Sequence, residues 1–382
     1  MSQAAPIDTL SPMQALTRMR EGARLIDVRE AGERASGIAQ GAQGVSLGEL
    51  LADPVAHLGN PGQSGEVLLI CALGQRSLNA AHALAGQGYR HLASVEGGTE
   101  RWRTCGLPMS APQADADFLA RYSRHLLLPQ VGLEGQRRLE EARVLLVGAG
   151  GLGSPIALYL AAAGVGTLVV CDDDVVELSN LQRQVIHTQA SLGQPKVESA
   201  QRAITALNPR TTVIAVPQRL TAQNIDALLP GADVAIDGAD NFAVRYLLSD
   251  ACVKHAVPMV YGAVQRFAGQ VSVFDAGRQR GIAPCYRCLF PEPPRPEDAP
   301  NCAQAGVLGV LPGIVGLLQA NEAIKLLLGI GDTLAGRLLG FDALTARFHE
   351  TRLPPDPGCP VCAPGQPFSG YIDYGRFCAT SP

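Results

Sequence analysis

Apolar and polar positions along the first 110 residues form short, mostly apolar runs, separated by longer stretches with helical patterns. The runs Arg24–Val28, Val67–Cys71 and His91–Val95 are typical of buried parallel strands. Ser77–Gly86 has the spacing of a helix that follows a strand. The pattern predicts a small domain of alternating strands and helices over residues 8–110.

The same alternation resumes near Phe118. Because strands that alternate with helices form parallel sheets, this part of the chain predicts a mostly parallel, doubly wound sheet. Gln270–Phe274 is expected to add a further strand, and Ile314–Leu328 to form a helix. The other predicted strands are Val144–Val147, Leu168–Cys171, Val213–Val216, Val234–Asp237 and Met259–Gly262. The predicted fold class is therefore α/β, with two different parallel-sheet domains.

Two segments interrupt these patterns. Residues 107–117 are rich in Pro, Ala and Asp, which is typical of a linker. We place the linker at 111–118, the second domain at 119–365 and a C-terminal tail at 366–382. Phe290–Pro300 holds too many prolines for a helix or a central strand, so it is expected to be a mobile surface loop.

Composition narrows the class of protein. The chain has 382 residues, of which 47% are hydrophobic, enough for two or three packed domains. A net charge of −4 gives no electrostatic reason to expect nucleic acid as a partner. We find no apolar stretch that is long and charge-free enough to span a bilayer, and no secretory signal over Met1–Leu10. We therefore expect a cytoplasmic protein whose ten cysteines are reduced thiols.

A glycine turn predicts a nucleotide site. Residues 143–153 read R-V-L-L-V-G-A-G-G-L-G, an apolar strand that runs into the turn. Gly148, Gly150 and Gly153 allow the backbone to approach phosphates closely, and the helix that follows offers free N–H groups. Asp172 ends the next apolar run, where it can accept hydrogen bonds from a ribose hydroxyl. At this point NAD competes with ATP as the nucleotide.

The polar residues after the turn favour ATP and adenylyl transfer. Negative charge develops on the transferred phosphoryl group and on pyrophosphate, and fixed cations stabilise it. Arg183 and Lys196 supply positive charge beside Asn180, and hydride transfer needs none of the three. Asp240 could hold Mg²⁺, which bridges phosphate oxygens. Singly, these residues fit solvated charges or, for Asp240, a helix cap; together they predict a catalytic group.

The second domain resembles the ubiquitin-activating superfamily, and most closely its adenylyltransferase branch that serves molybdopterin synthase. The resemblance covers residues 119–364. Its motifs are R-Y-S-R-H (Arg121–His125), G-A-G-G-L-G (Gly148–Gly153), S-N-L-Q-R-Q (Ser179–Gln184), G-Q-P-K (Gly193–Lys196), D-G-A-D-N (Asp237–Asn241) and C-Y-R-C (Cys285–Cys288).

This resemblance implies a substrate, a set of ligands and an assembly. The substrate is the C-terminal glycine carboxylate of a small ubiquitin-like protein. The assembly is a homodimer, in which Arg124 reaches the ATP phosphates from the partner subunit. The residues implied to bind ATP are Gly151, Asp172, Asn180, Arg183, Lys196 and Asp240, with Ser179 and Asn241 in the same motifs.

Two C-x-x-C pairs, Cys285/Cys288 and Cys359/Cys362, predict a structural zinc site. Four thiolates fill a tetrahedral shell and leave no open coordination position. Such a site would pin the C-terminal segment to the domain. Two unrelated thiol pairs, or one redox pair, are the alternative.

The loop C-A-L-G-Q-R-S (Cys71–Ser77) lies between a strand and a helix. Its backbone N–H groups can cradle an anion, and the helix dipole and Arg76 can stabilise a thiolate or persulfide on Cys71. Four residues separate Cys71 from Arg76, one fewer than in cysteine phosphatases, which favours an anion smaller than phosphate. A buried, inert strand-end cysteine is the alternative.

Residues 8–110 resemble a rhodanese (sulfurtransferase) domain. D-V-R-E (Asp27–Glu30), the Cys71 loop and G-G-T-E-R-W (Gly97–Trp102) carry the resemblance, which implies that Cys71 holds a persulfide. The stretch Gly37–Ala42 lacks the usual His and Pro. In familiar fusions of this kind the rhodanese domain is C-terminal, whereas here it comes first.

Cys302 follows the proline-rich segment. In related proteins the equivalent cysteine is the candidate for a thioester or an acyl disulfide with the carrier. An equally weighted alternative is that a Cys71 persulfide attacks the adenylate directly, in which case Cys302 is dispensable. Four further cysteines have no motif and are expected to be buried or incidental: Cys105, Cys171, Cys252 and Cys378.

The sequence thus predicts a bifunctional enzyme. ATP, Mg²⁺ and a structural Zn²⁺ would serve adenylation of a Gly-Gly carrier, most closely the small subunit of molybdopterin synthase. Sulfur from a cysteine desulfurase or thiosulfate would then give a thiocarboxylate. Thiamine or tRNA-thiolation carriers remain open as substrates. The rival functions are a dinucleotide-dependent oxidoreductase, an activating enzyme for protein conjugation through Cys302, and a docking role for the N-terminal domain.

Overall fold

The computed structural model describes residues 7–292 and 306–372. The chain divides into two compact units, Met1–Gln136 and Arg137–Pro382. This division falls later than the linker placed at 111–118, because residues after 110 bond to the first unit. The Gln113 N–H donates to the Ala35 carbonyl oxygen at 2.8 Å. The domain bounds themselves stay predictions, and Cys302 and Cys378 lie outside the described residues.

The first unit is built on a five-stranded sheet with the order β1-β5-β4-β2-β3, in which every pair is parallel. Its central strands are apolar runs buried from both sides, as the sequence predicted. Two short edge strands were not predicted, because three or fewer residues carry too little pattern. The strands are β1 (Asp8–Leu10), β2 (Arg24–Asp27), β3 (Gln43–Gly44), β4 (Val67–Ile70) and β5 (Leu92–Val95).

Several helices of this unit begin at polar caps. Ser11 and Gln14 form a capping box at the start of α1, and Ser46 and Glu49 form another at α3. The helices are α1 (Pro12–Arg20), α2 (Ala31–Arg34), α3 (Leu47–Ala52), α4 (Pro54–Leu58), α5 (Gln75–Gly86), α6 (Gly98–Thr104), α7 (Ala116–Arg121), α8 (Ser123–Leu126) and α9 (Gly132–Glu141), within which the division falls.

The second unit holds an eight-stranded sheet with the order β13-β12-β11-β10-β9-β6-β7-β8. Strands β8, β7, β6, β9 and β10 are parallel, and β10 to β13 pair antiparallel. The sheet is therefore mixed, and the predicted parallel part is confirmed. The strands are β6 (Arg143–Val147), β7 (Thr167–Cys171), β8 (Thr212–Val216), β9 (Val234–Asp237), β10 (Met259–Gln265), β11 (Ala268–Phe274), β12 (Arg337–Asp342) and β13 (Arg347–Arg352).

Helices cover the parallel part of this sheet. They are α10 (Gly153–Ala163), α11 (Lys196–Leu207), α12 (Ile225–Leu228), α13 (Phe242–His255), α14 (Tyr286–Leu289) and α15 (Val310–Leu328), with 3₁₀ turns at Leu178–Asn180 and Gln189–Ser191.

The helix α15 corrects one expectation. It is long and apolar enough to cross a membrane by length and composition, whereas the sequence was expected to hold no such stretch. Its contacts are those of a core helix. The Gln319 side chain donates to the Asp237 carbonyl oxygen at 2.7 Å, and buried Glu322 accepts the Leu334 N–H at 2.8 Å. A buried carboxylate with a hydrogen-bond partner inside the protein indicates that this face of the helix packs against protein and not against lipid.

Candidate functional site

The glycine turn joins β6 to α10, and its shape explains its glycines. Gly148 has a φ of +95°, and a Cβ there would lie 2.5 Å from the Gly238 carbonyl oxygen. A Cβ at Gly153 would lie 1.9 Å from the Gly148 carbonyl oxygen. Side chains at either position would break the turn. Gly150 and Gly151 sit between them, and the nearest atoms to a Cβ at each belong to side chains, at 3.6 and 3.1 Å.

Asp172 follows β7 and faces this turn. One carboxylate oxygen accepts the Ala149 N–H at 2.7 Å, and the other accepts the Asp174 N–H at 2.8 Å. Burial raises the pKa of Asp172 above its usual value, although Lys196 and these two bonds oppose the shift. Each carboxylate oxygen still has a lone pair without a partner in these two bonds, so Asp172 can also accept the predicted hydrogen bond from a ribose hydroxyl.

Lys196 begins α11 and is buried. Its Nζ lies 2.7 Å from an oxygen of Asp174, an exposed residue, and its backbone N–H donates to the Asp174 carbonyl oxygen at 2.9 Å. The ammonium group is thereby held against the turn 172–174, next to Asp172. Asp174 was not among the predicted site residues. The run of three aspartates after β7 was the available signal.

The segment between β7 and α11 brings three further predicted residues together. The Arg183 guanidinium donates to the Ser179 carbonyl oxygen at 3.0 Å, and its Cγ would lie 3.5 Å from a Cβ on Gly151. Buried Asn180 accepts the Glu177 N–H at 3.0 Å. Arg183 therefore lies beside the glycine turn.

Asp240 and Asn241 follow β9, the strand next to β6. Asp240 is exposed. The Asn241 side chain accepts the Val244 N–H at 3.0 Å and so caps α13. Buried Asp237 and Arg245 fix this loop through an Nε to Oδ2 distance of 2.6 Å, and Arg245 also donates to the Ala239 carbonyl oxygen at 2.9 Å.

His187 is a site residue that the sequence analysis missed. Its Nε2 lies 2.9 Å from the Ala149 carbonyl oxygen, and its Nδ1 lies 2.9 Å from the Ser199 hydroxyl. Because a carbonyl oxygen only accepts, Nε2 carries the proton and Nδ1 accepts from Ser199. Burial lowers the pKa of His187. The neutral ring thus ties the glycine turn to α11.

Gln184 is a second such residue. It is buried, and its Oε1 has no hydrogen-bond partner within residues 7–292 and 306–372. Its Nε2 would lie 3.6 Å from a Cβ on Gly150. The amide therefore faces the glycine turn. The position of Gln184 inside the motif S-N-L-Q-R-Q was the signal in the sequence.

Arg124 lies in the first unit, on α8, and is exposed. Its predicted contact with the ATP of a partner subunit stays a prediction.

The two C-x-x-C pairs come together as predicted. Sulfur atoms lie 3.6 Å apart between Cys285 and Cys359, 3.4 Å apart between Cys288 and Cys362, and 3.9 Å apart between Cys285 and Cys288. Zn–S bonds of about 2.3 Å in a tetrahedron would place sulfurs about 3.8 Å apart. All four ligand atoms lie within 4.8 Å of one another, so the donor set fits zinc in type, number and spacing.

Cys71 directly follows β4 in the first unit, at the head of α5. Its Sγ accepts the Gly74 N–H at 3.1 Å and lies 3.4 Å from the Ser77 hydroxyl. Gly74 has a φ of +93°, which turns its N–H inward. The motif G-G-T (Gly97–Thr99) packs directly against this loop. The Thr99 N–H donates to the Cys71 carbonyl oxygen at 2.8 Å, and a Cβ on Gly98 would lie 2.1 Å from the same oxygen.

Arg76 is bound by Glu33, and its predicted role in stabilising a thiolate on Cys71 stays a prediction. Both ends of its guanidinium are bound by Glu33, with N–O distances of 2.5 and 2.7 Å. Glu33 bonding raises the pKa of Arg76, and Cys71 is a weaker contributor in the same direction. Burial would raise the pKa of Glu33, but its bonds to Arg76 and to the Glu30 N–H leave it lowered overall. Glu33 was not among the predicted site residues.

Comparison with known proteins matches both units. The ThiF family model matches residues 122–361, and the rhodanese-like domain model matches residues 11–105. Solved structures of the microcin C7 biosynthetic enzyme MccB share the fold. One in complex with N-formylated MccA covers 74% of this chain and 86% of its own, with a TM-score of 0.57 and 19% identity.

Three curated relatives are nearer in sequence. The SAMP-activating enzyme E1 of Haloferax volcanii is 51% identical over 70% of this chain and 97% of its own. The sulfur carrier protein adenylyltransferase of Thermus thermophilus is 51% identical over 68% and 96%. The probable adenylyltransferase/sulfurtransferase MoeZ of Mycobacterium tuberculosis is 48% identical over 68% and 65%. The prediction of an adenylyltransferase joined to a rhodanese-like sulfurtransferase domain is confirmed, and the chain belongs to the ThiF family.

Proposed function

We propose that this enzyme adenylates the C-terminal carboxylate of a ubiquitin-like sulfur carrier and then transfers sulfur to it from a persulfide on Cys71. The observation that carries the proposal is the Cys71 loop. The Cys71 sulfur accepts a backbone N–H just before the start of α5, so this position can stabilise an anionic thiolate or persulfide. The same chain carries the glycine turn of a ThiF-family unit. The names of the Thermus and Mycobacterium relatives support both half-reactions.

In the first half-reaction the carrier carboxylate attacks the α-phosphorus of ATP, giving an acyl adenylate and pyrophosphate. The free N–H groups at Gly148–Gly153 would bind phosphate oxygens, and Asp172 would accept from the ribose. Lys196, aimed by Asp174, and Arg183 would stabilise charge on the phosphates. Asp240 would hold Mg²⁺, which supplies charge neutralisation there when bound.

In the second half-reaction the terminal sulfur of the Cys71 persulfide attacks the adenylate carbonyl. The carbonyl–oxygen bond to AMP breaks, AMP leaves with the electron pair, and an acyl disulfide joins the carrier to Cys71. A thiol reductant then donates two electrons to the S–S bond, which releases the carrier thiocarboxylate. In the rival route Cys302 takes the acyl group first.

Zinc, where bound, would be structural. Four cysteines would complete its shell, leaving no position for a substrate. We further propose a homodimer in which Arg124 contributes to the partner's ATP site, a cytoplasmic location, and the small subunit of molybdopterin synthase as the leading carrier.

The test is the intact mass of a Gly-Gly carrier after incubation with enzyme, Mg-ATP, a sulfur source and a thiol reductant. We expect a gain of one sulfur in place of one oxygen with the wild type and with Cys105→Ala, an exposed thiol outside the loop. We expect none with Cys71→Ala. Thiolation that persists in Cys71→Ala would assign the N-terminal unit a docking role instead.

A second function is favoured by the name of the Haloferax relative, a SAMP-activating enzyme E1. In it, Cys302 would carry the activated protein as a thioester for conjugation. A hydroxylamine-sensitive adduct between enzyme and carrier, lost in Cys302→Ala while the carrier gains no sulfur, would establish that function.

A further inference from the structure

The two halves of the four-cysteine cluster are held in different ways. Cys285 and Cys288 lie at the start of α14, on either side of Arg287. The buried Arg287 guanidinium donates to both oxygens of Asp250 on α13, at 2.9 and 2.8 Å. A buried bidentate pair of this kind fixes the position of both partners. The first cysteine pair is therefore attached to α13 by contacts that need no metal.

Cys359 and Cys362 lie on an irregular segment instead. Residues 354–372 form neither a helix nor a strand. The segment leaves the sheet after Leu353, whose N–H donates to the Gly336 carbonyl oxygen at 2.7 Å. A segment without regular structure opens locally at low cost unless other contacts hold it. Separation of the two cysteine pairs would therefore begin with movement of this half.

Residues 363–371, which we call the strap, fasten this segment just after Cys362. At the near end of the strap, the Arg280 guanidinium donates to the Ala363 and Gln366 carbonyl oxygens at 3.3 and 3.2 Å. The strap begins one residue after the last cysteine of the cluster, so movement of the strap and movement of that cysteine are linked through the backbone.

The far end of the strap closes around Lys254, near the end of α13. The Lys254 Nζ lies 5.1 Å from the centre of the Phe368 ring and 4.9 Å from that of the Tyr371 ring. The same ammonium group donates to one oxygen of Asp226 at 2.6 Å, and the Tyr371 hydroxyl donates to the other oxygen. His255 Nε2 lies 2.6 Å from that second oxygen. Because Asp226 belongs to α12, these contacts join α12, α13 and the strap.

We propose that the strap gates metal exchange at the cysteine cluster, so that the contacts of Lys254 set the rate at which zinc is lost. The Cys359 and Cys362 pair must move away from the fixed pair before a chelator can take the ion, and the strap opposes that movement. The inference rests on the structural zinc in the proposed function and is independent of both half-reactions.

The test compares wild type with three variants of the full chain. Lys254→Met keeps most of the side-chain length and loses the ammonium group. Tyr371→Phe keeps the ring and loses only the hydroxyl that binds Asp226. Lys325→Met is the matched control, because Lys325 is also held by polar groups but lies on α15, where it donates to the Asp332 carbonyl oxygen at 2.6 Å.

Two readouts follow the metal and the strap separately. The rate of zinc release from zinc-loaded protein is measured in an excess of pyridylazoresorcinol, a chelator whose zinc complex is coloured. Opening of the strap is measured by mass spectrometry as the rate of chymotrypsin cleavage after position 368, where Phe368 is half-buried in the closed strap.

We expect Lys254→Met to release zinc roughly ten-fold faster than wild type, because it loses an ion pair and two cation–π contacts together. Tyr371→Phe loses one hydrogen bond, so its release should be roughly three-fold faster. Chymotrypsin should cleave both variants faster than wild type. Lys325→Met should match wild type in both readouts. All four proteins should bind one zinc per chain, since the cysteines are unchanged.

Three results would overturn the proposal. Faster cleavage of Lys254→Met with unchanged zinc release shows that the strap opens without gating the ion. Unchanged cleavage and release show that Lys254 does not hold the strap. Equally fast release from Lys325→Met shows a general loss of stability instead. Wild-type protein that binds no zinc would remove the proposed zinc site, and this inference with it, so that failure is distinguishable from the other three.

Discussion

At the scale of the residue, three consecutive aspartates after β7 illustrate how position divides labour among identical side chains. Asp172 accepts one backbone N–H of the glycine turn, that of Ala149, whereas Asp173 pairs with Arg219 at 3.0 Å and Asp174 holds Lys196 at 2.7 Å. Only the last contact orients a cation that the proposed reaction needs. Composition alone would treat the three as equivalent.

Asp174→Asn is therefore expected to slow ATP–pyrophosphate exchange by about ten-fold to a hundred-fold, the usual effect of losing one charge-assisted contact to a group that acts in the transition state. Asp173→Asn is the matched substitution one residue away, and it should change the rate less than two-fold. The exchange assay with labelled pyrophosphate measures both. Equal losses in the two variants would mean that the acidic turn acts as a whole.

His187 gives a prediction for pH. Its folded pKa is lowered by burial, so the unfolded chain binds a proton at a higher pH than the folded one. The stabilising contribution of the neutral ring is present above the unfolded pKa of about 6.5 and is lost as pH falls toward the lower folded pKa.

Thermal unfolding from pH 8 to pH 5 should show this loss in wild type and a flatter profile in His187→Gln. His82→Gln, an exposed residue of α5, serves as the control and should follow wild type. Parallel profiles for all three proteins would show that His187 titrates alike in the folded and unfolded chain.

At the scale of the element, the strands and helices that could be predicted are those marked by long apolar runs or by motifs. The strand Val234–Asp237 was predicted to the residue, and β7 and β8 within one residue. The hairpin of β12 and β13 was not predicted, because Arg347–Arg352 is exposed along its whole length and so has no alternation to read. The helix α15 begins four residues before the predicted start, and Pro312 lies in its first turn, where proline is tolerated.

The candidate site shows the same division. Motif residues such as Asp172, Lys196 and Cys71 could be named because their chemistry is tied to a local pattern. Glu33 lies 43 residues from Arg76 in sequence. The sequence alone gives no signal for a pair so distant, and only the parallel sheet brings the two together.

The cysteine cluster gives the element-scale prediction. Removing one ligand should lower stability by about 3 kcal/mol, or the unfolding midpoint by roughly 10 °C, because metal binding is linked to folding. Cys359→Ser should show this loss and retain less than the one zinc per chain that we expect in wild type by elemental analysis. Cys105→Ser should keep both values. Wild-type protein that folds with no bound metal after refolding without zinc would contradict the structural assignment.

At the scale of the whole molecule, the chain carries its two candidate sites, the glycine turn and the Cys71 loop, on two separately packed units. If each site contains all the residues that its own half-reaction needs, a substitution can abolish one half-reaction and leave the other intact. Coupling then arises from their shared chain, which raises the local concentration of persulfide at the adenylate.

Reciprocal variants test this independence. Cys71→Ser should keep ATP–pyrophosphate exchange within two-fold of wild type while forming no persulfide. Lys196→Met should form the Cys71 persulfide at the wild-type rate while exchange falls by two orders of magnitude or more. A variant that abolishes both activities would show that the units depend on each other for chemistry.

The four-thiolate cluster also has a topological consequence. It brings residues 285–288 and 359–362 to one point, so with a metal bound everything between them, Cys302 included, belongs to a closed ring. Cross-linking of this kind limits the unfolded chain more than the folded one, as a long disulfide loop does. A protease that cuts once inside the ring would leave two fragments that still migrate as one species. The fragments should separate only when a denaturant and a chelator are added together.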